Sequence, residues 1–192
     1  MHCSLNPIML GLLAIALPAF VHPAQAAELG QQVVNDPSGA TQFTLGNGDT
    51  LTHSGNGAAL DVSVAGNSAR GDGVTITAGS ASSANTIGVR ASAGGSVTLT
   101  GSVIKTVGAG QSAHALMATG KGSLITVGGS AISTLGTYSH GAYAQSGGRI
   151  DLDGGSITTT ASGSRGLQAT GAGSTIVARD VTISTGAHDA AG

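Results

Sequence analysis

The chain has 192 residues and a formal charge of −2, from 7 Lys and Arg against 9 Asp and Glu, and charged residues make up 8% where about 25% is usual in soluble domains. No basic stripe neutralises phosphates, and 2 Tyr, 2 Phe and no Trp offer no platform for stacking bases, so nucleic acid is excluded as a partner. With 33 Gly and 4 Pro the chain also falls short of the roughly 25–30% typical of disordered low-complexity segments.

Residues 1–26 differ from everything after them. Ile8 to Phe20 is an apolar run too short to span a bilayer, and it leads to Ala24-Gln25-Ala26, a small-x-small cleavage signature. This predicts a secretory signal peptide cut between Ala26 and Ala27. Its front end, Met1 to Asn6, departs from the usual pattern in having no Lys or Arg. The only cysteine, Cys3, leaves with the leader, which rules out a disulfide framework or thiolate metal site in the mature chain.

Between residues 27 and 87 short alternating apolar segments appear, Phe43/Leu45, Leu60/Val62/Val64 and Val74/Ile76, separated by Gly/Asn/Asp turns such as Gly46-Asn47-Gly48-Asp49. They predict irregular first coils of a repeat, with Glu28 to Thr41 capping the structure or leading into it.

From residue 88 to 192 the pattern becomes regular. The alanines Ala91, Ala118, Ala144 and Ala169 are each preceded at two residues by Val89, Leu116, Ala142 and Leu167, and followed at four by Gly95, Gly122, Gly148 and Gly173. Alternating pairs follow (Val97/Leu99, Ile125/Val127, Ile150/Leu152, Ile176/Ala178), then Ile104, Ile132, Ile157 and Ile183, each with a threonine two residues on. Three strand-like pieces per unit cannot bury an apolar face alone, so they must stack on neighbouring units. The expected fold is all-β, a right-handed parallel β-helix with about 25–28 residues per coil and equivalent positions roughly 4.8 Å apart. Residues 88–192 then supply four regular coils and, at Ala187 to Gly192, the opening of a fifth. This is the expectation of a truncated solenoid or of the front piece of a longer polypeptide.

The leader, the cysteine-free Gly/Ser/Thr/Ala-rich remainder and coils such as Gly166-Leu167-Gln168-Ala169-Thr170-Gly171-Ala172-Gly173-Ser174 resemble the passenger domains of pertactin-type Gram-negative autotransporters. The resemblance covers roughly residues 40 to 192. It implies an exported, non-enzymatic β-helix at the cell surface or outside the cell, acting as an adhesin or virulence factor, with a host cell-surface receptor or other bacterial cells as partner. The outer-membrane translocator that such passengers need is not encoded here, and a truly truncated chain would stay in the periplasm. Two other readings stay open: the N-terminal part of a β-helical carbohydrate-active enzyme, and a truncated passenger without function.

Arg70-Gly71-Asp72 is the one tripeptide with a binding mechanism attached. A guanidinium and a carboxylate spaced by glycine can bridge an acidic site and a metal ion on a receptor, and a loop is expected there. His114, His140, Arg165 and His188 fall at equivalent coil positions. With Arg165 interrupting a ligand set, they are expected to line a solvated corner and to hold no metal. Asp151 and Asp153 read as outward neighbours of inward Ile150 and Leu152. No catalytic set is apparent: there is no Gly-x-Ser-x-Gly elbow, no His-Glu-x-x-His, and Gly120-Lys121-Gly122 lacks the features of a phosphate loop. No cofactor is expected.

Overall fold

The computed structural model describes residues 26–108 and 110–186. The expected leader up to residue 25, the expected fifth coil at 187–192 and His188 lie outside the described residues.

Among the described residues nineteen strands form three parallel sheets, and each coil contributes one strand to each sheet. Strand β1 (Glu28–Leu29) precedes six coils: β2 (Gln32–Val34), β3 (Gln42–Leu45) and β4 (Thr50–His53); β5 (Gly57–Ser63), β6 (Ser68–Asp72) and β7 (Thr75–Ala78); β8 (Thr86–Ser92), β9 (Ser96–Thr100) and β10 (Val103–Thr106). The last three are β11 (Leu116–Thr119), β12 (Leu124–Gly128) and β13 (Ala131–Thr134); β14 (Ala142–Gln145), β15 (Arg149–Asp153) and β16 (Ser156–Thr159); β17 (Leu167–Thr170), β18 (Thr175–Arg179) and β19 (Thr182–Thr185). Sheet I holds β1, β4, β7, β10, β13, β16 and β19; sheet II runs from β2 to β17; sheet III runs from β3 to β18. The fold is a β-solenoid of about six turns. Residues 28–34, expected to cap or lead into the repeat, supply β1 and β2, which pair in register with Thr50–Leu51 and Leu60–Val62.

The sequence repeat and the strand register coincide. Ile76, Ile104, Ile132, Ile157 and Ile183 are successive partners in sheet I, and Val89, Leu116, Ala142 and Leu167 are successive partners in sheet II. Side chains alternate in and out of the solenoid because strand geometry has a period of two. The inward ranks join into one continuous apolar core. Ile157 is fully buried, whereas Ile176 and Ile183 of the sixth coil are only half-buried. Val64 departs from expectation: it sits in a corner with φ +75°, so the inward run ends at Val62.

The three corners differ. Between sheets III and I two residues suffice in each of the last five coils, for example Gly101-Ser102. Between sheets II and III the last five coils use three or four, with Gly94 and Gly147 in the left-handed region and Gly95 and Gly148 held against backbone. Longer connections, 79–85, 107–115, 135–141 and 160–166, turn from sheet I into sheet II.

Serines staple the corners together. Ser139 Oγ donates to the Thr137 carbonyl and accepts the Ala113 N–H of the preceding coil at 2.8 Å. Ser164 Oγ does the same for Gly136 and Ser139. Ser102 and Ser130 repeat the arrangement at the short corner, and Ser123 and Ser174 at the third. The hydroxyls satisfy backbone groups that a turn removes from the sheet ladder, a requirement of any buried corner.

Candidate functional site

Two flanks carry the residues singled out by sequence. Arg70-Gly71-Asp72 is not in a loop: it forms the end of β6 in sheet III. The extended backbone turns Gly71 inward, where an added Cβ would lie 3.0 Å from Val74 and 3.1 Å from Leu45, and leaves Arg70 and Asp72 on the outer face. Arg70 Nε donates to Thr44 Oγ1 at 3.2 Å. The Asp72 carboxylate accepts from Thr100 Oγ1 and from Asn47 Nδ2. The loop expectation failed because the glycine here relieves crowding under the strand; it does not make a turn. Thr44, Arg70, Asp72, Thr98 and Thr100 line a shallow cleft of about 260 Å³.

The outer face of sheet II is chemically richer. Pairing from β5 to β17 stacks Asp61, Arg90, Met117, Tyr143 and Gln168 in one outward rank. Arg90 meets the Asp61 carboxylate with both Nε and Nη2, a fork-to-fork pair that neutralises the guanidinium and raises its pKa. Beside this rank His114 and His140 lie stacked, ring centroids 5.0 Å apart at 15°, with the Tyr143 ring 4.7 Å from His114 and 5.5 Å from His140.

The histidines correct the expectation of a solvated corner: each is 7% exposed. His114 Nδ1 accepts the His140 backbone N–H at 3.0 Å, and His140 Nδ1 accepts the Arg165 N–H at 3.1 Å. An accepting Nδ1 requires the neutral ring with its proton on Nε2. Burial pushes both down to about 4, aided by His140 for the first ring and by Arg165 for the second. Here the imidazoles act as coil-to-coil staples beside the hydroxyls of Ser139 and Ser164. The sequence signal was present in the 26- and 25-residue spacings; the hydrogen-bond role was not.

Two clefts lie beside the stacked histidines, one lined by His140 and the other by His114. One of about 460 Å³ is lined by Tyr138, His140, Ser162, Gly163, Arg165 and Gln168. The other, about 310 Å³, includes Arg90, Ser112, His114, Met117, Tyr143 and Gln145. Tyr138 is 58% exposed on the long corner 135–141. Its ring covers Gly163 of the next coil so closely that a Cβ there would lie 2.4 Å from it. Arg165 Nη1 donates to Gln168 Oε1 at 3.1 Å, and among the described residues no carboxylate pairs with it.

On sheet III, Asp151 pairs with Arg149 while Ile150 and Leu152 are buried, as expected for outward acids on a strand. Among the described residues no group of three or more His, Cys, Asp or Glu is placed to hold a metal ion. No protein-family model matches the chain, and comparison with curated proteins and with solved structures returns no match.

Proposed function

We propose that this chain is an exported, non-enzymatic β-solenoid of the autotransporter-passenger kind, which acts as an adhesive scaffold by holding side chains in fixed ranks on its flanks. The observation that carries this reading is the unbroken stacking of six coils over one Ile/Val/Leu ladder, an architecture compatible with a β-helical passenger. The Ala24-Gln25-Ala26 leader signature supports export. A receptor contact through Arg70-Gly71-Asp72 would use a rigid, extended strand with Asp72 already engaged by Thr100 and Asn47.

The test is expression of the full chain, with its leader, in a Gram-negative host. The reading expects a product beginning at Ala27, and binding to host or bacterial cells by that product when it is fused to an outer-membrane β-barrel and displayed. A retained leader, or display without adhesion, overturns it. Equal adhesion by Asp72→Glu removes the tripeptide as the contact and moves it to another flank.

A further inference from the structure

We infer that the outer face of sheet II, together with the long corners 135–141 and 160–166 beside it, is a binding groove for an acidic polysaccharide, with Tyr138 and Tyr143 as ring platforms and Arg165 as the carboxylate contact. The first argument is distribution. The sequence has 2 Tyr, and both lie here; the outer ranks of sheet I are mostly Thr and Ser, such as Thr75/Thr77 and Ser156/Thr158. The second is charge. Arg90 is neutralised by Asp61, but Arg165 keeps its guanidinium in a cleft with no paired carboxylate among the described residues. A planar fork of donors suits a carboxylate or sulfate group.

The third argument is shape. The stacked rings His140 and His114 line one cleft each, and Gln168 of the first cleft and Arg90 of the second belong to one outward rank that spans three coil steps, or roughly 14 Å. That is room for a chain of rings rather than for one compact molecule. Gln145 and Gln168 add amide donors and acceptors for ring hydroxyls, and the exposed Tyr138 face offers apolar surface at little entropic cost. The groove would be rigid before binding, since Tyr143 packs on the stapled histidines.

The test titrates the processed chain with a hexamer of galacturonate, with neutral maltohexaose and with a polyglutamate peptide. Binding of the galacturonate hexamer is expected, about tenfold weaker for Arg165→Gln and for Tyr138→Ala, and unchanged for Lys105→Ala on sheet I. Tyr138 is so exposed that its loss leaves the fold intact, which circular dichroism checks. Equal binding of maltohexaose overturns the acidic assignment. Preference for polyglutamate, or galacturonate binding indifferent to both variants, overturns the groove. None of these outcomes bears on whether the chain is exported.

A separate observation concerns the chain start, and it rests on cleavage after Ala26. Asp49 is 8% exposed; its Oδ2 accepts the Gly46 N–H at 2.7 Å and its Oδ1 accepts the Ala27 N–H at 2.8 Å. The Ala27 carbonyl accepts from Thr50 N, fixing the residue from its other side. The structure assigns Asp49 as the receptor of the processed N-terminus. Hydrolysis by a leader endopeptidase breaks the Ala26–Ala27 peptide bond. Water gives its hydroxyl to the Ala26 carbonyl carbon and a proton to Ala27 N, which takes a further proton from solvent. An amide hydrogen bond to Asp49 thereby becomes an ammonium–carboxylate pair.

N-terminal sequencing checks the cleavage by itself. In the processed chain, NMR titration of the Ala27 α-amine is expected to give a midpoint about one unit above the ordinary 7.7–8.0, returning to that range in Asp49→Asn. Because the folded value is raised, the added stability holds below pH 8 and is lost as pH rises through the folded midpoint. A chain carrying an N-acetyl group should lack that loss. An unshifted α-amine in a chain shown to begin at Ala27 overturns the assignment.

Discussion

The His114 imidazole lies against that of His140 and accepts its backbone N–H, so the same ring both packs between coils and closes a hydrogen bond across them. Protonation removes the Nδ1 lone pair that makes this bond. Both rings are held down to about 4 by burial first, whereas unfolded histidine titrates near 6.5. The unfolded chain therefore binds more protons throughout that interval. Stability should be full above about pH 6.5, fall as pH drops to about 4, and level off with respect to these groups below that. Urea midpoints across this range test it, and His114→Leu should flatten the slope by about half.

Ile157 and Ile183 are ladder partners with different burial. Ile157→Ala should cost about 2–5 kcal/mol and Ile183→Ala clearly less, because a half-buried site loses less transfer energy and leaves no closed cavity. Ile157→Asp places an unpaired charge in the ladder and should abolish cooperative unfolding by circular dichroism.

Ser139→Ala removes the acceptor of the buried Ala113 N–H. The orphaned donor should cost about 1–3 kcal/mol, while Ser133→Ala on the outer face of sheet I should stay within about 0.5 kcal/mol. Denaturant titration of the two variants side by side separates a staple from a surface hydroxyl.

Gly141 sits at the turn into β14, where an added Cβ would meet Ile157 Cγ2 at 2.3 Å and the Gly166 carbonyl oxygen at 2.8 Å. Gly30 has nothing within 4 Å and no positive φ. Gly141→Ala is expected to destabilise by about 1–3 kcal/mol through overpacking, and Gly30→Ala to stabilise by up to about 1 kcal/mol through the unfolded state. Thermal midpoints moving in opposite directions would bear this out.

The ladders were legible in the sequence because every inward rank has the same spacing as its hydrogen-bond register, as Ile104, Ile132 and Ile157 show. The flanks were not. Outward residues carry no periodic constraint, so nothing in the spacing said that Arg90 pairs with Asp61 or that Tyr143 covers two histidines. The histidine column was visible as a column, but its burial depends on Tyr143, which belongs to a different rank. The tripeptide misled for a related reason: glycine marks turns far more often than it marks a tight inward position on a strand.

Coil length varies mainly at the long corner from sheet I into sheet II, while the corner from sheet III into sheet I keeps two residues from the second coil to the sixth. Tyr138, Ser162 and Arg165 all sit on those longer connections. Those three side chains are exposed or stand at the cleft and can be exchanged without touching the isoleucine ladder, whereas Gly141, Ser139 and Ser164 of the same connections are tied to the core, so what this flank presents and how the chain folds are written in different residues of one corner. Trading only the exposed corner residues between coils re-addresses the flank without retuning the core.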